Sequence, residues 1–355
     1  VSVVETKPAP KPAPAPMKVE PASGPGIVNL KAVASEGGEE VGAYWYTFHA
    51  KTNLEGERER IAAGTGKKLE LEAGEYFTSA KWGNVTAETT FTVKPGQTTD
   101  VVLVMNGGIL KLPSLSVEGG EEVNAYYYVY EASTNLSGER KRITAGTGRE
   151  PIIPAGDYFI EAKWGHATAT AEATIEPGAA TSTTLVLNGG ILAHSSSHTE
   201  GGEDIGAYYY IFEAKEDLSG NRKRITAGTG KEPILPAGDY YITAKWGHAT
   251  GQTEAKVTAG ARSEAHVLIP SGILNLKVVG PDGQPAKAYH YVLSSEKNLE
   301  GEQERVTAGT GTEMKLPVGT FDINSKGDDM IGSVTGVEVK AGTAAEVTIT
   351  LQPAE

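Results

Sequence analysis

Trp82, Trp164 and Trp246 stand 82 residues apart, and so do Ile27, Ile109, Ile191 and Ile273. Each tryptophan ends the same string: Glu72 to Trp82, Pro154-Ala-Gly-Asp-Tyr-Phe-Ile-Glu-Ala-Lys-Trp164 and Pro236 to Trp246. A fourth, worn copy runs from Pro317 to Lys326 without the tryptophan. Upstream of each lies an aromatic stretch: Ala43-Tyr-Trp-Tyr-Thr-Phe-His49, Ala125-Tyr-Tyr-Tyr-Val-Tyr-Glu131, Ala207-Tyr-Tyr-Tyr-Ile-Phe-Glu213 and Ala288-Tyr-His-Tyr-Val-Leu-Ser294. A repeat of this length overrides any domain count taken from chain length alone. The 355 residues divide as 26–107, 108–189, 190–271 and 272–355, behind a segment over 1–25. A unit this small buries a modest core, near the lower end of independent stability.

The second copy serves as the type. Expected strands run over 109–117, 125–132, 140–144, 150–153, 157–164, 167–175 and 181–188. Turn signals separate them, among them Glu118-Gly-Gly-Glu-Glu122, Asn135-Leu-Ser-Gly138, Ala145-Gly-Thr-Gly148 and Pro177-Gly178. Short strands with turns every 8 to 12 residues and no helical period predict an all-β chain of four tandem seven-stranded antiparallel β-sandwich domains. Alternation puts Tyr158, Ile160, Ala162 and Trp164 on one face, expected to be the core. In the aromatic strand, Tyr126, Tyr128 and Tyr130 are expected to face the core. Trp45, Tyr127 and Tyr209, with His290 at the same position of the fourth copy, are expected on the opposite face; the first three are either a repeated patch for a glycan or a partner protein or are covered by neighbouring loops.

Only Gly107-Gly108 and Gly189-Gly190 separate the last strand of one copy from the first of the next. Glycine allows a bend there, but two residues leave little freedom, so end-to-end domains in a semi-rigid rod are expected. Strands of about ten residues give about 35 Å per domain and about 140 Å for four. The stretch Lys7-Pro-Ala-Pro-Lys-Pro-Ala-Pro-Ala-Pro16 cannot pair as a strand and favours extended polyproline II, the signature of a linker. The chain opens on Val1, so the linker is expected to follow an upstream domain of the same polypeptide.

Composition excludes several functions. The formal charge is −13 and no basic patch gathers anywhere, which argues against nucleic acid and anionic membrane. No apolar run reaches the ~18 residues of a membrane span. The chain has no cysteine, hence no disulfide, thiolate metal site or cysteine nucleophile. Ser195-Ser-Ser-His198 offers no oriented acid or oxyanion hole, so no catalytic residues and no cofactor are expected.

Three further patterns are candidates. Lys163-Trp164-Gly-His166 and Lys245-Trp246-Gly-His248 set an indole beside a histidine and a lysine, as for stacking on a sugar ring; Trp82 has Asn84 instead of the histidine. The competing reading makes each tryptophan a cap on its core and the glycine a hairpin turn. The acidic turns, with Glu118, Glu121, Glu122, Glu200, Glu203 and Asp204, are calcium candidates across a joint, although three carboxylates fall short of six to eight oxygens. Lys31 with Asn106, or Lys111 with Asn188, have the first-strand and last-strand placement of an internal isopeptide bond, but the third copy has Ala193-His194 and Pro270 instead and the fourth lacks the asparagine, which argues against one.

The fourth copy carries Gly280-Pro-Asp-Gly-Gln-Pro-Ala-Lys-Ala-Tyr289 and Leu316-Pro-Val-Gly-Thr-Phe-Asp-Ile323. These strings resemble the carboxypeptidase-regulatory-like, or transthyretin-like, sandwich family, over residues 26–355. The strings Gly108-Ile-Leu110, Glu118-Gly-Gly120, Tyr130-Glu-Ala132 and Gly138-Glu-Arg-Lys141 are similar to the C-terminal repeat regions of bacterial von Willebrand factor A domain proteins. That likeness implies an extracellular or cell-envelope location and a supporting role. The expectation is a non-enzymatic stalk or spacer. The alternatives are a multivalent glycan- or protein-binding module, and a fibre subunit that self-associates through strand edges.

Overall fold

The computed structural model describes residues 24–354, all of them in strands, turns and loops with no helix. The linker expected over 1–25 therefore lies outside the described residues as far as 23, while Pro25 already pairs with Glu72. In the first repeat seven strands form: β1 (Pro25–Val33), β2 (Tyr44–Thr52), β3 (Arg58–Gly64), β4 (Lys68–Glu72), β5 (Gly74–Trp82), β6 (Val85–Val93) and β7 (Thr98–Val104). They make a three-stranded sheet in the order β4-β1-β7 and a four-stranded sheet in the order β3-β2-β5-β6. The third repeat has the same two sheets, and the fourth adds Gln352–Pro353 as a fifth strand to its larger one. In the second repeat the first strand breaks into Gly107–Lys111 and Ser114–Leu115. Pro113 sits at the break, where it has no N–H to give a ladder.

The pairing is antiparallel except between first and last strands. β1 runs parallel to β7 from Ile27↔Thr98 to Val33↔Val104, and Gly189–Ser197 pairs likewise with Arg262–Leu268, as does Ser271–Val279 with Ala344–Thr350. Parallel neighbours need a long crossover, here supplied by the rest of the repeat.

Each core lies between two sheets and follows the period-2 pattern. In the first repeat Val28, Leu30, Trp45, Leu71, Tyr76, Ala80, Val101 and Leu103 form one cluster, and in the third Leu192, Tyr209, Ile211, Leu235, Tyr240, Ile242 and Val267 form another. Burying each large apolar side chain contributes about 1.5–3 kcal/mol.

The described residues fall into two compact units. One runs to Lys111 and takes in Glu150–Asp157 and Thr174–Thr181; the other holds Leu112–Arg149, Tyr158–Ala173 and the residues from Ser182 on. Inside each unit, consecutive repeats are joined by the same bonds. The backbone N–H groups of Asn84, His166 and His248 donate to the carbonyls of Ile152, Ile234 and Lys315, each at 2.9 Å. Ala155 donates to Asn106, Ala237 to Asn188 and Val318 to Pro270, at 2.9, 2.8 and 3.0 Å. The paired glycines are not hinges. A Cβ on Gly189 would meet Ala167 at 2.7 Å, and one on Gly190 would meet the Thr258 carbonyl at 2.2 Å. The left-handed bend falls instead on Asn106 (φ 52°) and Asn188 (φ 47°), a conformation asparagine tolerates better than most residues.

Candidate functional site

The aromatic strand reverses the expected faces. Trp45, Tyr127, Tyr209 and His290 are 3, 2, 1 and 1% exposed, all core. Strand register explains it. Tyr127 lies opposite Ala162 and Val129 opposite Ile160, so they share the core face of the partner strand; Tyr126 lies opposite Lys163 and Tyr128 opposite Glu161. The buried phenol of Tyr127 donates to the Leu112 carbonyl at 2.6 Å and pairs with the Ser114 hydroxyl at 2.8 Å. His290 pairs through Nδ1 with the Ser325 hydroxyl at 2.8 Å.

The outward aromatics are Tyr44, Tyr126, Tyr208 and Tyr289, each 42–43% exposed. Each leans on a second tyrosine, Tyr46, Tyr128, Tyr210 or Tyr291, with ring centroids 5.0–5.1 Å apart. On the same sheets Arg58, Arg140 and Arg222 lie over Phe77, Phe159 and Tyr241 at 4.2–4.4 Å, a favourable cation–π arrangement. The arginine Nε also donates to Ala50, Ala132 and Ala214 carbonyls, which fixes it there. Leu54, Leu136, Leu218 and Leu299 stand fully exposed at turn tips. Each follows an Asn or Asp whose Oδ1 accepts two backbone N–H groups; at Asn135 these come from Ser137 and Glu139, both at 2.9 Å. The turn is rigid and its leucine points at water in every repeat, a recurrence the sequence carried in Asn-Leu-x-Gly or Asp-Leu-x-Gly.

The Trp-Gly-His tips belong to the joints. Trp246 is 9% exposed and part of the third core, and Trp82 packs against the first core. Gly165 and Gly247 hold φ values of 59° and 62°, and a Cβ there would meet Ile234 at 2.6 Å and Lys315 at 2.3 Å. His166 and His248 are exposed beyond them. His198 stacks edge-on at 4.5 Å from Trp246 and pairs through Nδ1 with the Ser271 hydroxyl at 2.8 Å, within the last joint. In the Ser195-Ser-Ser stretch both ring nitrogens of His266 meet hydroxyls, Ser195 at 3.0 Å and Ser197 at 2.8 Å. Two serine partners leave that imidazole with no carboxylate to orient it as a base.

The acidic turns close on cations of their own repeat. Glu122 pairs with Arg149 at 2.6 Å, Asp204 with Lys231, and Glu40 with Lys67. Glu118, Glu121, Glu200 and Glu203 are exposed. Burial pushes the Asp204 carboxyl up, but Lys231 and the N–H groups of Ser196 and Gly206 outweigh it and hold it below the usual range. Among the described residues no three His, Asp or Glu side chains are grouped to hold a metal ion. Lys111 lies 3.9 Å from Glu150.

One site went unread in the sequence. The third repeat has a hollow of about 230 Å³ whose lining includes His194, Tyr209, Thr226, Gly230, Glu232 and Pro233. His194 is 5% exposed, its ring centroid 4.1 Å from that of Tyr209, and its Nδ1 has no hydrogen-bond partner. Burial pushes its pKa down, so the imidazole is held neutral. The equivalent hollow of the first repeat, between Leu30, Trp45, Gly64 and Leu69, is about 60 Å³.

This strand pairing defines the class, an all-β protein of repeated sandwich domains whose strand ends are hydrogen-bonded from one repeat to the next. The sequence matches no protein-family model and no curated protein. Among solved structures it is similar to the Bacillus anthracis TIE protein, at 13% identity over 92% of this chain and 74% of that one, TM-score 0.21. It is similar to a streptococcal ancillary pilin at 12% identity, over 70% of this chain and 99% of that one, TM-score 0.28. It is also similar to the pilus adhesin SpaC of Lactobacillus rhamnosus GG at 10% identity, over 88% and 54%, TM-score 0.22. No helix among the described residues is long and apolar enough to cross a membrane.

Proposed function

We propose that the chain is a non-catalytic spacer, the stalk of a bacterial cell-envelope or extracellular protein. The observation that carries this is the joint. Three successive junctions use equivalent backbone hydrogen bonds, and at the second the paired glycines are packed against neighbouring atoms. A chain selected only to tether would have no need to hold its junctions so closely. The envelope placement rests on the family resemblance of the repeats. Small-angle scattering on the chain, and on a variant with six Gly/Ser residues inserted after Asn188, tests the reading. A spacer gives one well-defined maximum dimension, near the ~140 Å expected from strand length, and the insertion broadens it. Superimposable curves from the two proteins sink the proposal.

A second reading, multivalent binding of a glycan or a surface protein, is favoured by the outward tyrosine pairs and the four exposed leucines. Replacing Leu54, Leu136, Leu218 and Leu299 together by Ser leaves the cores untouched. Absence of saturable binding to cell-surface material by the parent chain rules the reading out, and binding that survives this change and Ser at Tyr44, Tyr126, Tyr208 and Tyr289 removes these residues from it.

A further inference from the structure

In the first two repeats the chain leaves its last strand through Asn106 or Asn188, in the left-handed bend that leads to the next repeat. At the same point the fourth repeat has Gln352, and the chain stays in the sheet. Gln352 pairs with Ile331 and Pro353 with Met330, and the Ala354 N–H donates to the Asp329 carbonyl at 2.8 Å. Gly332 lets the two edges come close, since a Cβ there would meet the Thr350 carbonyl at 2.8 Å. The added strand walls one side of a groove of about 610 Å³. Its floor is the outward face of the larger sheet, where Tyr291 lies opposite Asn324, Asn324 opposite Ser333 and Lys326 opposite Ile331. These five side chains are exposed, and so are Thr350 and Gln352 at the wall. Among the described residues, none of the polar ones has a hydrogen-bond or ion-pair partner for its side chain. Ser325, beneath them, is buried and its hydroxyl is taken by His290, so it offers nothing to the groove.

We propose that this groove binds an acidic sugar, a short glycan segment in which one ring carries a carboxylate. Among the described residues that line it, Lys326 alone is charged. In the second repeat the equivalent lysine is already matched: Lys163 pairs with Glu161 at 3.1 Å and lies over the Tyr128 ring. Asn324 stands where Glu161 does, opposite the same tyrosine of the aromatic strand. The ammonium is thereby left without that carboxylate, and an amide is placed beside it. Asp328 and Asp329, at the neighbouring hairpin tip, do not line the groove. A lone ammonium among neutral groups favours an anion. It matches one carboxylate, whereas a phosphate brings further charge that no described lining residue would meet. The remaining polar groups are the amides of Asn324 and Gln352 and the hydroxyls of Ser333 and Thr350. Amides and hydroxyls both give and accept hydrogen bonds, as the hydroxyls of a sugar require. Tyr291, held against Tyr289 at 5.1 Å, turns an exposed ring to the carbon face of such a ligand. The volume falls within the roughly 300–1,000 Å³ of ligand clefts and has room for about two sugar rings. The site belongs to the fourth repeat, and needs neither the spacer reading nor the repeated surfaces of the second.

The test uses the full chain, isotopically labelled so that the side-chain amides of Asn324 and Gln352 can be followed. It is titrated with digalacturonic acid and sialyllactose, and with their neutral counterparts, the methyl ester of digalacturonic acid and lactose. At least one acid should shift both amides saturably. Its neutral counterpart should bind about tenfold more weakly, the effect of one charge-assisted hydrogen bond. Lys326→Gln, at an exposed position, should bring the acid down to the level of the neutral sugar while the rest of the spectrum stays that of a folded protein. Tyr291→Ser should weaken the acid and the neutral sugar by a similar factor. If neither acid moves the two amides, the proposal is overturned. Neutral sugars that bind as tightly as the acids overturn it equally, as does an acid held as tightly by Lys326→Gln or by Tyr291→Ser as by the parent chain.

Discussion

In the first repeat Leu30, Trp45 and Leu69 close the space beside Gly64 to about 60 Å³, whereas in the third His194, Tyr209 and Pro233 leave about 230 Å³ beside Gly228. The frame around the two hollows is the same. Trp45 faces Gly64 across β2 and β3, as Tyr209 faces Gly228, and both strand pairs slip register at the same point. The ladder of backbone hydrogen bonds therefore holds its course while the side chains between the sheets change size and chemistry. One frame serves a small hollow beside a tryptophan in one repeat and a larger one beside a buried histidine in another.

Exchanging the residues that differ should break this contrast. The largest effect is expected for Leu30→His. It removes a leucine that is 3% exposed and sets an imidazole against Trp45, where the hollow is about a quarter of the size. A loss of about 3 kcal/mol follows from lost burial and an unpartnered polar atom. Native-state hydrogen exchange reads it locally, as lost protection in β1 and β2 with the third repeat unchanged; undiminished protection there would show that the hollow adapts. The reverse exchange, His194→Leu, should stabilise the third repeat by about 1–2 kcal/mol at neutral pH.

That variant also sharpens the contrast through pH. Burial is the main cause holding the His194 pKa down, with its own backbone and Asp204 pulling it up and Lys231 pressing it down further. Its folded value lies beneath the unfolded one, about 6.5, so the unfolded chain takes up the proton first. The contribution of the neutral ring is complete above that pH and is lost as pH falls toward the folded value. Protection in the third repeat should decline below about pH 6.5, and His194→Leu should remove that decline. The fourth repeat should keep its own decline, since burial holds His290 low as well. Equal acid sensitivity of the third repeat with and without His194 would refute this assignment.

The smallest difference is expected at the acidic turns. Asp204 accepts the N–H groups of Ser196 at 3.1 Å and Gly206 at 3.2 Å besides pairing with Lys231. Asp204→Ala should cost about 1 kcal/mol, mostly through those backbone bonds. Glu40, whose partner is Lys67 in an exposed pair, should be replaceable by Ala with no measurable change. Equal losses at the two sites would put the stabilisation in the ion pair itself.

Strands, turns and cores were legible because the repeat supplies each pattern several times. Tyr158, Ile160 and Ala162 alternate with outward residues as read, and all three are buried. The faces of the aromatic strand were not legible from aromatic content. Tyrosine suits either side of a sheet, and the deciding fact is its register against 158–163, which no single strand contains. The paired glycines read as a bend because glycine permits one. Their role is close approach, which depends on atoms from distant turns such as the Thr258 carbonyl. The cleft did leave a signal. At one position the four repeats read Leu30, Leu112, His194 and Leu276, and a polar residue among three leucines marks a core that is packed differently. What the sequence lacked was the volume, which depends on how Tyr209 and Pro233 fill less space than Trp45 and Leu69.

The parallel pairing of first and last strands has a mechanical consequence. In the third repeat the chain enters along Gly189–Ser197 and leaves along Arg262–Leu268, side by side and in the same direction. Tension between the two ends therefore slides one strand along the other instead of peeling them apart. All seven residue pairs from Ile191↔Arg262 to Ser197↔Leu268 bear the load together, and the core behind them stays shut until the whole ladder yields. An antiparallel pair at the same place would open one bond after another, at a far smaller pull.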